Sequence, residues 1–295
     1  MVVSDSRSIA TELNSSDFHF IYELLQNADD ANYNIARQDG SQPWMKFSVS
    51  PTELVVDTNE DGFMRANVEA ICATGRSSKK TSVQDKHIGE KGFGFKSVFV
   101  VAEKVQIRSR VWSFHFDHGD EDTGLGMVTP IIDDAFALPV GVRTRITLSL
   151  NAKHRKKYAR LAGAFENLAD TTIFFLQQLS KLTVTVQKVD GSTSSVTYAK
   201  ETDATTVRLR TQIGVGDATG GKVEERFFQI FKGVARDMPS DRRRPGQKSA
   251  PIVLAFPTKD MTGQTAAIDE SGQYFFAYLP VVRMVQLKVC RCPIL

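Results

Sequence analysis

With 295 residues, a net charge of +3, 41% hydrophobic and 24% charged content, the chain can bury a sizeable core, and its charge does not mark it as a nucleic-acid or membrane-surface protein. Three cysteines, Cys72, Cys290 and Cys292, are too few for a disulfide framework and lack the spacing and histidine partners of a zinc site. No window approaches the roughly 18 apolar residues of a membrane span, and the first residues hold no apolar run of secretory length. The sequence thus reads as soluble and intracellular, cytoplasmic or nuclear.

From Phe18 to about Tyr33 the pattern is helical. Phe20, Leu24, Leu25, Ala28 and Ala31 recur at three-to-four spacing, with Asp17 as the N-cap. Met45 to Val49 and Leu54 to Val56 read as strands joined by a turn at Ser50, Pro51 and Thr52. A polar loop from Asp57 to Met64 precedes a helix from Asn67 to Ala73. The basic, polar stretch Gly75 to His87 then reads as an exposed loop. After the glycine-rich run Ile88 to Phe95, Lys96 to Ala102 is apolar and helical in pattern. Strands are predicted at Lys104 to Arg110, Val111 to Phe116 and Arg143 to Leu150. Beyond Asn151 a helical stretch runs through Leu161 and Phe165, and Ile173 to Val186 passes from helical to alternating periodicity. A long polar loop with Arg242, Arg243 and Arg244 separates these from strands at Ile252 to Phe256 and Tyr274 to Val281. A domain boundary falls near residue 150, dividing 1–150 from 151–295.

Three segments carry chemistry. Gly89, Gly92 and Gly94, followed by Phe95 and an apolar run, give a backbone that can approach an anion closely; the bland alternative is a tight turn before a helix. Glu23, Asn27 and Asp30 stand at i, i+4 and i+7 on one face of the first helix. A carboxylate there can polarise water and a carboxamide oxygen can ligate Mg²⁺, although the same pattern suits a solvated face. Between them, Asp57 to Gly62 offers an acid at a strand end that can accept a hydrogen bond from an exocyclic amine, or merely an acidic turn.

Taken together, the segments resemble the motifs of the GHKL ATPases, the class of the ninety-kilodalton heat-shock chaperones, gyrase B, MutL and sensor histidine kinases. YELLQNADDA (22–31) resembles their N-box, the segment around Asp57 to Gly62 their first glycine box, and IGEKGFGFKSVFVVAEKV (88–105) the second. Gly141 to Leu148 resembles the strand whose threonine sits under adenine. The resemblance implies Glu23 as general base, Asn27 as Mg²⁺ ligand and Asp30 as a further polar position. It also implies Gly92 and Gly94 at the phosphates, Gly89 and Phe95 as further nucleotide-binding residues, and Thr144 in the adenine network. In the first box only Gly62 survives of the usual glycines, so Asp57, Asn59 and Glu60 remain alternatives for the adenine-binding acid.

That altered box, with Ala73 to Lys80, resembles the sacsin and No Vein class more narrowly. Phe174 to Leu176, Leu254 to Pro257 and Phe276 to Pro280 add looser support. Val282 to Leu295 departs from the Gly-Phe-containing segment of related proteins, which makes an incomplete or altered C-terminus the expectation. The implied fold is a two-layer α/β sandwich of the GHKL type over 1–150 with an α+β extension over 151–295. The implied ligand is Mg²⁺-ATP, bound beneath a lid formed by Gly75 to His87. The implied activity is slow ATP hydrolysis driving a chaperone-like or regulatory switch, with protein clients or self-association as partners. The alternative is a non-hydrolysing, sacsin-like nucleotide-binding or interaction scaffold.

Rival readings fail on missing parts. Gly92, Gly94, Ser97 and Lys104 mimic a kinase glycine loop and its lysine, but no His-Arg-Asp or Asp-Phe-Gly follows. A P-loop lacks its Gly-Lys-Ser/Thr, and a Rossmann loop would need glycine at position 97. The basic runs at 154–157 and 242–244 have no interleaved aromatic platform, which argues against nucleic acid.

Overall fold

The computed structural model describes residues 18–73, 94–118, 129–174, 176–215, 221–237, 239, 248–262, 275–277 and 279–281. The first helix, α1 (His19–Asp29), buries Phe20, Ile21, Leu24, Leu25 and Ala28, as its three-to-four spacing requires. Its expected N-cap, Asp17, lies outside the described residues. A short α2 (Asn34–Gln38) follows, and the Asp61 carboxylate accepts the N–H groups of Asn34 and Ile35 at 3.0 and 2.8 Å. Strands β1 (Trp44–Val49) and β2 (Glu53–Thr58) form a hairpin whose turn is closed by Ser50, its hydroxyl accepting from Glu53 N–H at 3.1 Å. Helix α3 (Arg65–Cys72) comes next, and a 3₁₀ turn over Lys96–Val100 replaces the longer helix expected there.

Strands β3 (Ala102–Ser109), β4 (Trp112–Asp117), β5 (Ile131–Ile132) and β6 (Thr144–Leu150) follow. The later chain gives α4 (Ala152–Lys156), α5 (Tyr158–Glu166) and a 3₁₀ turn over Asp170–Ile173. Its described residues then form five strands: β7 (Lys181–Gln187), β8 (Thr193–Thr202), β9 (Thr206–Val215), β10 (Lys222–Ala235) and β11 (Ala250–Thr258). A separate small hairpin pairs β12 (Phe275–Ala277) with β13 (Leu279–Val281).

Eleven strands share one sheet in the order β11-β10-β9-β8-β7-β1-β2-β6-β3-β4-β5. Only the β1–β7 contact is parallel; the other neighbours are antiparallel. The central strands alternate. Met45, Phe47, Leu54, Val56, Ile107 and Leu148 are buried on one face, while Lys46, Ser48, Gln106 and Thr147 are half-buried on the other. Helices α1 and α5 cover the apolar face through edge-on rings, with Phe165 centred 6.5 Å from Phe20 and 5.1 Å from Phe47.

A buried carboxylate ties this layer to the sheet. Asp29 accepts the backbone N–H groups of Gln177, Gln178 and Leu179 at 2.7, 2.7 and 2.9 Å, fixing the end of α1 to the entry of β7.

The two-layer α/β sandwich with an α+β extension is corrected by this topology. The molecule is mostly one large mixed sheet with few helices, and the second half extends that sheet with long antiparallel strands. The expectation transferred a family architecture from motifs in the first half, and motifs do not count strands. The boundary expected near residue 150 falls at the end of β6, and the sheet runs across it through β1 and β7.

Candidate functional site

A cavity of about 570 Å³ opens between the C-terminal half of α1, the end of β2, helix α3 and the ends of β3 and β6. Its α1 wall presents Leu24, Asn27, Ala28 and Asp30; Val56, Thr58 and Glu60 come from β2 and beyond, followed by Gly62; Ala66, Asn67, Ala70 and Ile71 come from α3. Phe95, Arg110, Thr144 and Ile146 also line it. Residues from four separated motif segments therefore meet in one space, including Asn27, Asp30, Gly62, Phe95 and Thr144 as the sequence singled them out.

Backbone geometry at two glycines explains their identity. Gly62 has φ +88°, and a Cβ there would overlap Arg110 Cγ and stand 2.8 Å from Arg110 Cδ. At Gly94 a Cβ would overlap Glu23 Oε2, with Glu23 Cδ 3.0 Å away. Glu23 therefore lies over Gly94, just before the 3₁₀ turn, rather than on the cavity lining, with His19 Nδ1 3.4 Å from its carboxylate. Lys96 of the same motif donates to Ala73 O at 2.6 Å, placing a cation at the C-terminal end of α3; burial lowers its pKa. Ser97 donates to Gly94 O at 2.7 Å. Gly89 and Gly92, and the lid expected over 75–87, lie outside the described residues.

The three alternatives for the adenine-binding acid separate cleanly. Asp57 points to the sheet face away from the helices and accepts a bidentate pair from Arg145, at 2.7 and 2.8 Å. Asn59 is used by the backbone: its Oδ1 accepts from Trp44 N–H at 2.8 Å and its Nδ2 donates to Gln42 O at 2.9 Å. Of the three, Glu60 lines the cavity.

Sequence reasoning did not single out Thr58, Ser109, Asn67 or Arg110. In register, Thr58 faces Thr144 and Thr144 faces Ser109, so three hydroxyl residues form one row across β2, β6 and β3. Ser109 Oγ and Thr144 Oγ1 are 2.6 Å apart, and Ser109 Oγ also accepts from Phe63 N–H at 2.8 Å. Thr58 Oγ1 is buried with no hydrogen-bond partner. Period-two alternation from Leu54 and Val56 was the signal that could have found it. Arg110, in the tight turn between β3 and β4, adopts φ 51° and directs Nη1 to Met64 Sδ at 2.6 Å.

Among the described residues no group of three or more His, Cys, Asp or Glu gathers to hold a metal ion, and no helix is long and apolar enough to cross a membrane. No family model matches the chain. Over 186 residues it is 34% identical to Protein NO VEIN of Arabidopsis thaliana, a match covering 58% of this chain. The match covers 7% of that protein's length, so the chain corresponds to a small part of a much longer relative, and the No Vein relation holds at that level.

Proposed function

We propose that the cavity binds a Mg²⁺-bound nucleoside triphosphate, ATP by the likeness of its motifs to those of the GHKL ATPases. Slow hydrolysis would then drive a chaperone-like or regulatory switch. The observation that carries this reading is the convergence of the N-box residues Asn27 and Asp30, the first-box Gly62, the second-box Phe95 and the strand residue Thr144 on one cavity. Its volume of about 570 Å³ lies in the range of small-molecule sites. The donor set suits a hard cation brought in by the ligand. Asn27 offers one half-buried carboxamide oxygen, and Mg²⁺ takes most of its ligands from phosphates and water. When bound, the ion neutralises phosphate charge; Asn27 would hold it, and the strand-end hydroxyls would meet the base.

Glu23 favours keeping a second reading, binding without turnover, because its carboxylate lies against Gly94 and outside the cavity lining. Titration calorimetry with ATP, with and without Mg²⁺, and phosphate release measured in parallel decide between the two. Asn27→Ala should remove the Mg²⁺-dependent part of the affinity in a folded protein. Glu23→Ala should keep affinity within a few-fold and lower turnover by about 10² or more. Wild-type binding without turnover above the Glu23→Ala level selects the scaffold. No ATP binding at all defeats both.

A further inference from the structure

The row Thr58, Thr144, Ser109 is neutral and almost sealed, with exposures of 5%, 2% and 0%. Two of its three hydroxyls satisfy each other, and Ser109 accepts a further backbone N–H. Thr58 is left over: its Oγ1 is buried, lacks a partner, and belongs to a residue on the cavity wall. A buried hydroxyl without a partner is costly to leave so, and a ligand polar atom is one way to satisfy it. A staggered χ1 rotation carries Oγ1 into the place of the methyl group, and the methyl group into that of the hydrogen, without moving the backbone.

The carboxylates near this strand end are committed elsewhere. Asp57 is paired with Arg145 on the opposite face, Asp61 caps α2, and Glu60, though on the wall, already carries an interaction within the protein. We propose that Thr58 is the specificity-determining contact to the bound base, and that it makes the site tolerant of the base's exocyclic group. The inference rests on the nucleotide reading above. A carboxylate can only accept a hydrogen bond and so selects an amino group. A hydroxyl accepts from an amine or donates to a carbonyl, so adenine and hypoxanthine satisfy Thr58 equally.

The test is calorimetric titration of the full chain with Mg²⁺-ATP, Mg²⁺-ITP and inorganic tripolyphosphate, in the wild type and in Thr58→Val and Thr58→Ser. Wild-type affinities for ATP and ITP should agree within about threefold. Thr58→Val, which keeps the shape and removes the oxygen, should weaken both by roughly tenfold and leave tripolyphosphate unchanged. Thr58→Ser should restore most of the loss. Thermal unfolding of unliganded Thr58→Val should be unchanged or raised, because the substitution removes an unpartnered polar atom; a purely structural hydroxyl would lower it. A wild type that prefers ATP over ITP by a hundredfold overturns the tolerance. Equal nucleotide affinity in Thr58→Val and wild type overturns the contact while the nucleotide reading stands. Failure of the wild type to bind any of the three probes removes that reading and this inference with it.

Discussion

Gly94→Ala is a sharp probe of the site because, among the described residues, the added methyl would collide with one flexible group, the Glu23 carboxylate. To reach ordinary contact the carboxylate must retreat by roughly 1.5 Å. The side chain is 24% exposed and has room to swing, so the rearrangement costs about 0.5–1.5 kcal/mol if it forces an off-rotamer geometry. Against this, alanine is better than glycine by about 0.5–1 kcal/mol in a helical turn. The variant should therefore keep wild-type stability within about 1 kcal/mol. In a Glu23→Ala background the collision is gone, and Gly94→Ala should then stabilise by about 0.5–1 kcal/mol. Denaturant unfolding of the wild type, both single variants and the double variant measures the coupling directly, expected near 1 kcal/mol. If Gly94→Ala has the same effect in both backgrounds, the carboxylate does not lie on Gly94 and the packing described is wrong. Should the chain hydrolyse ATP, displacing Glu23 by roughly 1.5 Å should lower turnover by about 10² or more, with affinity held within a few-fold.

Asp29→Asn should cost about 2–4 kcal/mol in denaturant unfolding, because an amide cannot accept all three N–H groups of 177–179; a loss below 1 kcal/mol would refute that anchoring. Asp133 is one pH-sensitive group: burial raises its pKa, but hydrogen bonds from Gln106 and His115 outweigh it and hold it below the ordinary 3.8. A depressed carboxylate contributes stability that is fully present above the unfolded value and lost as pH falls through the lower folded one. The stability gap between wild type and Asp133→Asn should accordingly be constant near neutrality and close below pH 3.8. A gap that does not narrow as the pH falls below 3.8 contradicts it.

Much of the central sheet and α1 was legible because local pattern determined it. The spacing of Phe20, Leu24, Leu25 and Ala28 is that of a buried helix stripe, and the alternation in 45–56 is that of a half-buried hairpin. Strands β8 and β10 were less so, because polar and charged residues occupy so many of their positions that no clean apolar period stands out, although β9 does alternate Val207, Leu209 and Ile213 with Arg208, Arg210 and Gln212. What stabilises them is ladder pairing with distant neighbours, which a local window does not contain. Asp29 was passed over for its neighbour Asp30 for a related reason: its partners lie about 150 residues away and leave no mark near it. At the strand end, the preference for a carboxylate drew attention to Asp57, while the two-residue period places Thr58 beside Val56 on the cavity side and Asp57 opposite.

The two long walls of the cavity are held very differently. Helix α1 buries most of its apolar residues and is fixed at its end by the Asp29 bonds. Helix α3 buries only Ile71; its ends are held by the reciprocal Met64–Asn67 cap and the Lys96 bond to Ala73 O. Low apolar burial and exposed end bonds are the conditions under which a segment opens locally at little cost, so α3 is the wall that yields first and α1 the one that keeps its geometry. The residues that converge from α1, Asn27 and Asp30, are thus presented by the rigid side, and the hydroxyl row stands on a central sheet that is equally fixed. A ligand spanning both would find its polar contacts already positioned and would gain burial by drawing in the α3 wall, so its ordering cost would fall on the less packed of the two walls.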